Sequence, residues 1–293
     1  MFIATLIAAD RLARGDISVA SDRLALSGLA PVEWRWVEEG VACDLLFDGA
    51  PALARSALEG VLPGVDVVVQ PEVRRAKRLL VADMDSTMIT IECIDELADY
   101  AGIKAQVSEV TERAMRGELD FEGALDARVA LLRGLDEAVI ERCYKERVII
   151  MGGAKALVRT MRANGARSVL VSGGFTVFAD RVAREIGFHH AISNTLDIAE
   201  GVLSGTVARP IIGAAAKRET LLGEAVKLGL DLEQTLAIGD GANDIPMIET
   251  AGLGVAYHAK PKTAVAAGAR IDHGDLSALL YAQGYARKDW VTD

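Results

Sequence analysis

The 293-residue chain has three cysteines, Cys43, Cys93 and Cys143, far apart and without a C-x-x-C pair. That excludes a disulfide scaffold and fits a reducing compartment. Each thiol reads as a buried apolar side chain. No apolar run is long enough to span a bilayer. The opening segment, Met1 to Ala9, is short, lacks a basic leader and meets Asp10 and Arg11 at once. It reads as a strand rather than a secretory signal. No lysine and arginine cluster is interleaved with aromatics, and the formal net charge is -10. A general nucleic-acid partner is thereby excluded, because phosphate backbones need a basic stripe. Repeats and low-complexity segments are absent. The few histidines, His189-His190, His258 and His273, have no partner at metal-ligand spacing and read as structural or surface residues. What remains is the composition of a cytoplasmic globular protein, 51% hydrophobic and long enough for two domains. A homodimer is left open.

Along residues 2 to about 71 the elements alternate. Phe2–Ala8 reads as a strand and Ile17–Leu29 as a helix. Val32–Val37 and Val41–Phe47 are strands joined at Glu39-Gly40, a hairpin turn signal. Pro51–Leu62 reads as a second helix and Val65–Gln70 as a last strand. The order βαββαβ resembles an α+β ferredoxin-like (ACT-like) module. Residues 1–77 are therefore expected to form a regulatory or interaction domain. The run Arg74-Arg75-Ala76-Lys77-Arg78 reads as its solvated connector.

From residue 78 to 293 the pattern is that of an α/β fold. Strand signals fall at Leu79–Ala82, Ser168–Val171, Ala191–Ser193, Thr235–Ile238 and Leu253–Ala256. Helical signals separate them, at Ala154–Ala163, Val177–Ile186, Lys217–Leu228 and Ile245–Thr250. A helical insert at about 93–148 interrupts the first crossover. It includes Gln106–Arg116 and Phe121–Arg133, with Asp120 and Asp136 as N-caps. Such an insert reads as a cap over a site. Asp197–Val207 reads as a hairpin flap. Leu276–Tyr281 reads as an amphipathic segment closing the core, after a turn and N-cap at His273-Gly274-Asp275.

Three strand ends carry unusual polar residues. The first gives Asp83-Met84-Asp85-Ser86-Thr87. Two carboxylates one residue apart at a buried strand end are costly unless a cation offsets them. The second runs into Ser172-Gly173-Gly174, where backbone N–H groups can approach a phosphate. Another runs into Gly239-Asp240-Gly241-Ala242-Asn243-Asp244. Lys217 lies early in the helix before it. In open α/β sheets ligands bind at the carboxyl ends of strands. Taken singly these are an acidic loop, a turn, a surface lysine and an Asx-type turn. Taken in order they fit phosphoryl transfer, where metal and lysine neutralise the reacting group and an aspartate can serve as nucleophile.

These four motifs resemble those of the haloacid dehalogenase-like phosphatases, and more narrowly the phosphoserine phosphatase family. The resemblance covers about residues 79 to 290. It implies a Rossmann-like haloacid dehalogenase core with a helical cap. It implies Asp83 as nucleophile, and Asp85 as general acid/base whose carbonyl also reaches Mg2+. Ser172, Gly173 and Lys217 would hold phosphate, and Asp240 would hold the metal. Asp244 would support it, and Asn243 would touch phosphate or substrate. Phe121, Leu125, Arg128 and Leu132 share one helical stripe. An arginine there either snorkels to water or faces a buried anion. The resemblance favours the anion: Arg128 would take a substrate carboxylate and Glu92 its ammonium, with Met115 as an apolar wall. The expected activity is Mg2+-dependent hydrolysis of O-phospho-L-serine, the last step of serine biosynthesis, through an aspartyl phosphate. The alternative is a related phosphotransferase, or a phosphatase for another small amino-acid phosphate. Two other classes, an inactive amino-acid sensor and a signalling receiver domain, fit the intact motif set and the long cap less well.

Overall fold

The computed structural model describes residues 1–292, the Met115 side chain apart. The expected wall at Met115 thus lies outside the described residues. Residues 2–71 contain β1 (Phe2–Ala8), α1 (Arg14–Leu26), β2 (Glu33–Glu38), β3 (Ala42–Phe47), α2 (Pro51–Leu58) and β4 (Val65–Pro71). The strands form an antiparallel sheet in the order β2-β3-β1-β4, as the ferredoxin-like order expects. Successive side chains of a strand point to opposite faces. On β1, Ala4, Leu6 and Ala8 pack in one cluster with Leu24, Phe47 and Ala54. Ile7 points the other way and joins Ala42 and Val68 in the core of the larger domain. Because both faces are covered, β1 reads as a continuous apolar run rather than an alternating one.

The second face also carries polar groups that reach the larger domain. Arg75 donates to both oxygens of the fully buried Asp44, at 2.5 and 2.9 Å, and to the Ala282 carbonyl at 3.1 Å. Gln70 donates to the same carbonyl at 2.8 Å. Asp66 accepts the backbone N–H groups of Asp272, His273 and Gly274 at 2.8 to 3.1 Å. Lys77 is buried and donates to the Glu233 carbonyl at 3.0 Å. The basic run is therefore not simply a solvated connector. It lies between two packed domains, and its alternate side chains find carbonyl and carboxylate partners there.

The larger domain begins with β5 (Leu79–Ala82). The cap follows as α3 (Cys93–Tyr100), α4 (Lys104–Met115), α5 (Phe121–Leu131) and α6 (Ala138–Arg147). The core continues as α7 (Ala154–Ala163), β6 (Arg167–Phe175), α8 (Thr176–Ile186) and β7 (His190–Asn194). A hairpin of β8 (Leu196–Ala199) and β9 (Val202–Val207) leads to α9 (Ala214–Lys227) and β10 (Thr235–Gly239). The chain ends with α10 (Ile245–Thr250), β11 (Leu253–Tyr257), α11 (Pro261–Ala266), β12 (Ala269–Ile271) and α12 (Ala278–Ala282). The sheet is parallel, in the order β12-β11-β10-β5-β6-β7. Among the described residues no helix is long and apolar enough to cross a membrane.

One strand was not expected, and three local expectations need correction. β12 has no sequence signal, because three residues are too few for a period. β6 runs on past the expected Val171 through Ser172-Gly173-Gly174 to Phe175, with a register shift between Val171 and Phe175. Asp136 is not the N-cap of α6; Glu137 holds that place, while the Asp136 carboxylate accepts the Ala138 N–H at 2.8 Å. The last helix is buried all round, not amphipathic.

The cap joins the core through two short antiparallel segments. Thr90 N–H donates to Ile149 O at 3.0 Å and Met151 N–H to Met88 O at 2.9 Å. The β8–β9 hairpin is tied to the cap, with Gly134 N–H donating to Leu203 O at 2.8 Å and Glu137 N–H to Gly201 O at 2.9 Å. Cap and flap thus form one unit over the sheet.

Removing one partner of a buried ion pair leaves the other charge uncompensated. Asp44→Ala is expected to lower unfolding stability by about 3–5 kcal/mol. Arg74→Ala, which breaks an exposed pair with Asp231, should cost about 0–1 kcal/mol. Denaturant titration of both variants checks this; equal losses would refute the contrast.

Candidate active site

β5 lies between β10 and β6. Their carboxyl ends therefore bring Asp83, Asp240 and Ser172 together at the reversal of strand order. The Asp83 backbone is fixed by its N–H, which donates to Ile238 O at 3.0 Å. Lys217, on the first turn of α9, has no solvent exposure. Its Nζ lies 2.6 Å from Asp83 Oδ1 and 2.6 Å from Asp244 Oδ1. Burial works against the ammonium, but Asp244 and Asp83 outweigh it and hold Lys217 above its ordinary range. Asp244 is anchored in turn by the Gly241 N–H at 3.0 Å.

Carboxylate oxygens of Asp83, Asp240 and Asp244 lie within 4.8 Å of one another. One buried ammonium cannot balance three carboxylates. Burial, then Asp244, push Asp83 well up, with Lys217 opposing. Burial, Asp244 and Glu92 push Asp240 up to about 6. Thr87 reaches across to donate to Asp240 Oδ1 at 3.2 Å. A hard divalent cation suits this all-oxygen cluster, and these residues fit one.

Asp85 is half-buried and has a buried Oδ1 without a hydrogen-bond partner. Burial, then Glu92, push its carboxyl up to about 8, so it carries a proton near neutrality. A Cβ on Gly174 would lie 3.0 Å from Asp85 Oδ2 and from Ser172 Oγ. Glycine keeps that space open, and its N–H donates to Ser172 Oγ at 2.8 Å. Ser86 takes a left-handed φ of +55°, an uncommon cost for a non-glycine. Its hydroxyl donates to Glu92 Oε1 at 2.8 Å. Asn243 is half-buried in the turn between Asp240 and Asp244.

Arg128 on α5 is half-buried and donates its Nε to the Ala124 carbonyl at 3.2 Å. Burial lowers its pKa, against the attraction of Asp95, Glu92 and Asp85. The guanidinium is thus within reach of the charges of Asp95, Glu92 and Asp85. Asp83, Asp240, Asp244 and Lys217 meet at one strand edge, with Asp85 and Ser172 on either side of Gly174; Arg128 stands on the cap helix α5 and Asn243 in the neighbouring turn.

Two further residues shape the site. Phe121 opens α5, and its ring fills the space that Cβ atoms on Gly173 and Gly213 would enter, at 3.0 Å from each. The cap thus closes on the serine loop through an aromatic ring. Its place in the stripe of Arg128 was the available signal. Asn194, almost fully buried at the end of β7, donates to Gly173 O at 2.9 Å and Ile212 O at 3.2 Å. It accepts the Ile212 N–H at 2.8 Å. One amide thereby fixes the serine loop to the segment that leads into Lys217. No sequence signal marks it, because its partners are backbone atoms distant in the chain.

This arrangement defines a class of enzyme: a carboxylate-based phosphoryl-transfer enzyme on an open α/β sheet. Residues 80–249 match the family model described as haloacid dehalogenase-like hydrolase, and the chain belongs to that family. It is similar to the phosphoserine phosphatase of Streptomyces coelicolor, 44% identical over 295 residues, covering 94% of this chain and 72% of the relative. A solved hydrolase of the same family from Salmonella enterica serovar Typhi is 30% identical with a TM-score of 0.84, covering 96% of this chain and 98% of that one. A solved phospho-aspartyl intermediate analogue of phosphoserine phosphatase is 37% identical with a TM-score of 0.65, covering 70% of this chain and 98% of that one. Within its family the chain is a phosphatase.

Asn194→Ala is expected to lower kcat/KM on any phosphate ester by about 10- to 100-fold, because small misplacements of a binding loop are costly. It should also raise the inhibition constant of inorganic phosphate. An unchanged inhibition constant would argue against a positioning role.

Proposed function

We propose that the chain hydrolyses O-phospho-L-serine to L-serine and phosphate, as the last step of serine biosynthesis in the cytoplasm. The observation that carries the substrate is the half-buried Arg128 on the cap helix α5, held by its Nε on the Ala124 carbonyl at 3.2 Å and attracted by the charges of Asp95, Glu92 and Asp85. Such a pair of opposite charges suits a carboxylate and an ammonium on one small molecule. The similarity to phosphoserine phosphatases supports the same reading.

The chemistry is derived from this chain's residues. Asp83 attacks phosphorus with one carboxylate oxygen, and the ester P–O bond breaks. Asp85, protonated near neutrality, gives its proton to the departing serine oxygen. Water then attacks the phosphorus of the aspartyl phosphate as Asp85 takes its proton, and the Asp83 carboxylate is released with inorganic phosphate. Ser172, the backbone at Gly173 and Lys217 hold the phosphoryl oxygens. Asn243 borders them, and Asp244 keeps Lys217 in place. Asp83, the Asp85 carbonyl and Asp240 would hold Mg2+, which supplies charge neutralisation for the phosphoryl group.

Phosphate release from O-phospho-L-serine and from p-nitrophenyl phosphate tests the reading. Asp83→Asn should abolish both activities while leaving the fold intact. Arg128→Ala should reduce kcat/KM for phosphoserine about 100-fold or more, as loss of a buried charge partner costs several kcal/mol. The aryl phosphate, with no carboxylate to read, should lose only a few-fold. Equal losses would sink the substrate assignment.

Metal binding should couple to pH. In the absence of cation, Asp240 and Asp85 are pushed up from 3.8 to about 6 and about 8. Both bind protons more tightly folded than unfolded. Their contribution to stability is full below about pH 4 and is lost as pH rises through 6 and 8. Mg2+ competes with those protons. Its gain in Tm is therefore expected to be larger at pH 8 than at pH 5; a gain independent of pH would contradict the assignment.

A further inference from the structure

The loop that follows β11 touches the Asp83 site through a residue the mechanism does not use. Lys260 N–H donates to the backbone carbonyl of Asp240 at 3.1 Å. Its Nζ stands 3.9 Å from Asp240 Oδ2, on a side chain that is 67% exposed. Thr87 already donates to the other oxygen, Asp240 Oδ1, at 3.2 Å. The two oxygens of this carboxylate therefore have separate partners, one buried and one at the surface.

The backbone of Lys260 is held on both sides. His258 takes a left-handed φ of +42°, and its N–H donates to Ile271 O at 2.9 Å. Its Nε2 lies 2.9 Å from Gly274 O; a carbonyl only accepts, so that nitrogen carries the proton. Pro261 follows at the start of α11, where its ring fixes φ. The Lys260 carbonyl accepts the N–H groups of Thr263 and Ala264 at 3.0 Å each. These bonds limit the region that the ammonium can sweep.

Lysine is locally the wrong residue for this place. Lys260 is the N-cap of α11, and its side chain makes no cap hydrogen bond. Good caps are acceptors such as Ser, Thr, Asp and Asn, and an ammonium accepts nothing. A local rule broken without a local gain points to a gain elsewhere. That gain is at Asp240. Three carboxylates meet there, and the buried Lys217 touches only Asp83 and Asp244. Lys260 brings a second positive charge, and it opposes the rise that burial and Asp244 impose on the Asp240 carboxyl. An exposed pair of this kind is weak and costs little to separate.

We propose that Lys260 is a tethered counter-ion of Asp240, which partners that carboxylate in the metal-free protein and, by competing with the metal ion for it, keeps metal affinity low enough for exchange. This role rests on the metal assignment at Asp240 and not on the identity of the substrate.

Calorimetric titration of the chelator-treated full chain with MgCl2 tests it. Lys260→Ala is expected to bind Mg2+ about three- to tenfold more tightly at low salt, as suits one exposed charge a few ångströms from a dication. The gain should shrink as added salt screens that charge. Lys260→Arg, which keeps the charge, should bind as the wild type does. Lys262→Ala removes an equally exposed charge two residues further on and should change the constant less than about twofold. Unchanged or weaker binding by Lys260→Ala would overturn the proposal. So would an equal gain from Lys262→Ala, which would trace the effect to net charge alone. Mg2+ binding that survives Asp240→Asn undiminished, or no binding by the wild type, would overturn the metal assignment as well, so the two failures are distinct.

Discussion

A single ammonium, out of contact with water, lies between two carboxylates at the carboxyl edge of the large sheet. Lys217 touches Asp83 and Asp244 at 2.6 Å each. A charge in such a place persists only when paired and hydrogen-bonded. Much of the surrounding architecture meets that condition. β5 and β10 are neighbours, so their terminal aspartates meet. Gly239 has no Cβ, and a Cβ there would overlap Asp244. Gly241 gives Asp244 a backbone N–H. The carboxylates still outnumber the ammonium, and the remaining imbalance suits a bound cation.

The cap supplies what the sheet lacks. The strand edge carries the acids and the lysine, and the cap adds Arg128 and, through Phe121, an apolar cover over the serine loop. Phe121 meets two glycines from separate segments, Gly173 and Gly213. The same two segments are laced together by Asn194. Cap contact and serine loop therefore share a mechanical base, and the flap hairpin is hydrogen-bonded to the cap.

Much of this was legible in the sequence. Local signals are strong where a strand is buried and ends in an aspartate, as at Leu79–Asp83 and Thr235–Asp240. The element order of residues 2–71 was equally plain, since each segment has its own period and turn. What escaped notice was tertiary. Asn194 acts on backbone atoms, which carry no sequence signature. Arg75 and Lys77 look like exposed linker residues until two domains close around them. β12 is three residues long and exists because β11 offers it a partner. The end of β6 was set too early because the glycines at 173 and 174 continue the strand as far as Phe175. The expectation at Met115 lies outside the described residues.

The N-terminal sheet has two buried faces, and they are supplied by parts of the chain far apart in time of synthesis. Ala4, Leu6 and Phe47 are covered by helices made immediately after them. The opposite face, with Asp44, Asp66 and Gln70, waits for residues 272–282, near the end of the chain. Chains emerge from the amino terminus at about 5–20 residues per second. For roughly ten seconds or more, on that rate, the first module has one face sealed and the other wet. Polar residues in the middle of that face keep it tolerable to water during the interval. The strand β1 is thus made well before the residues that complete its enclosure.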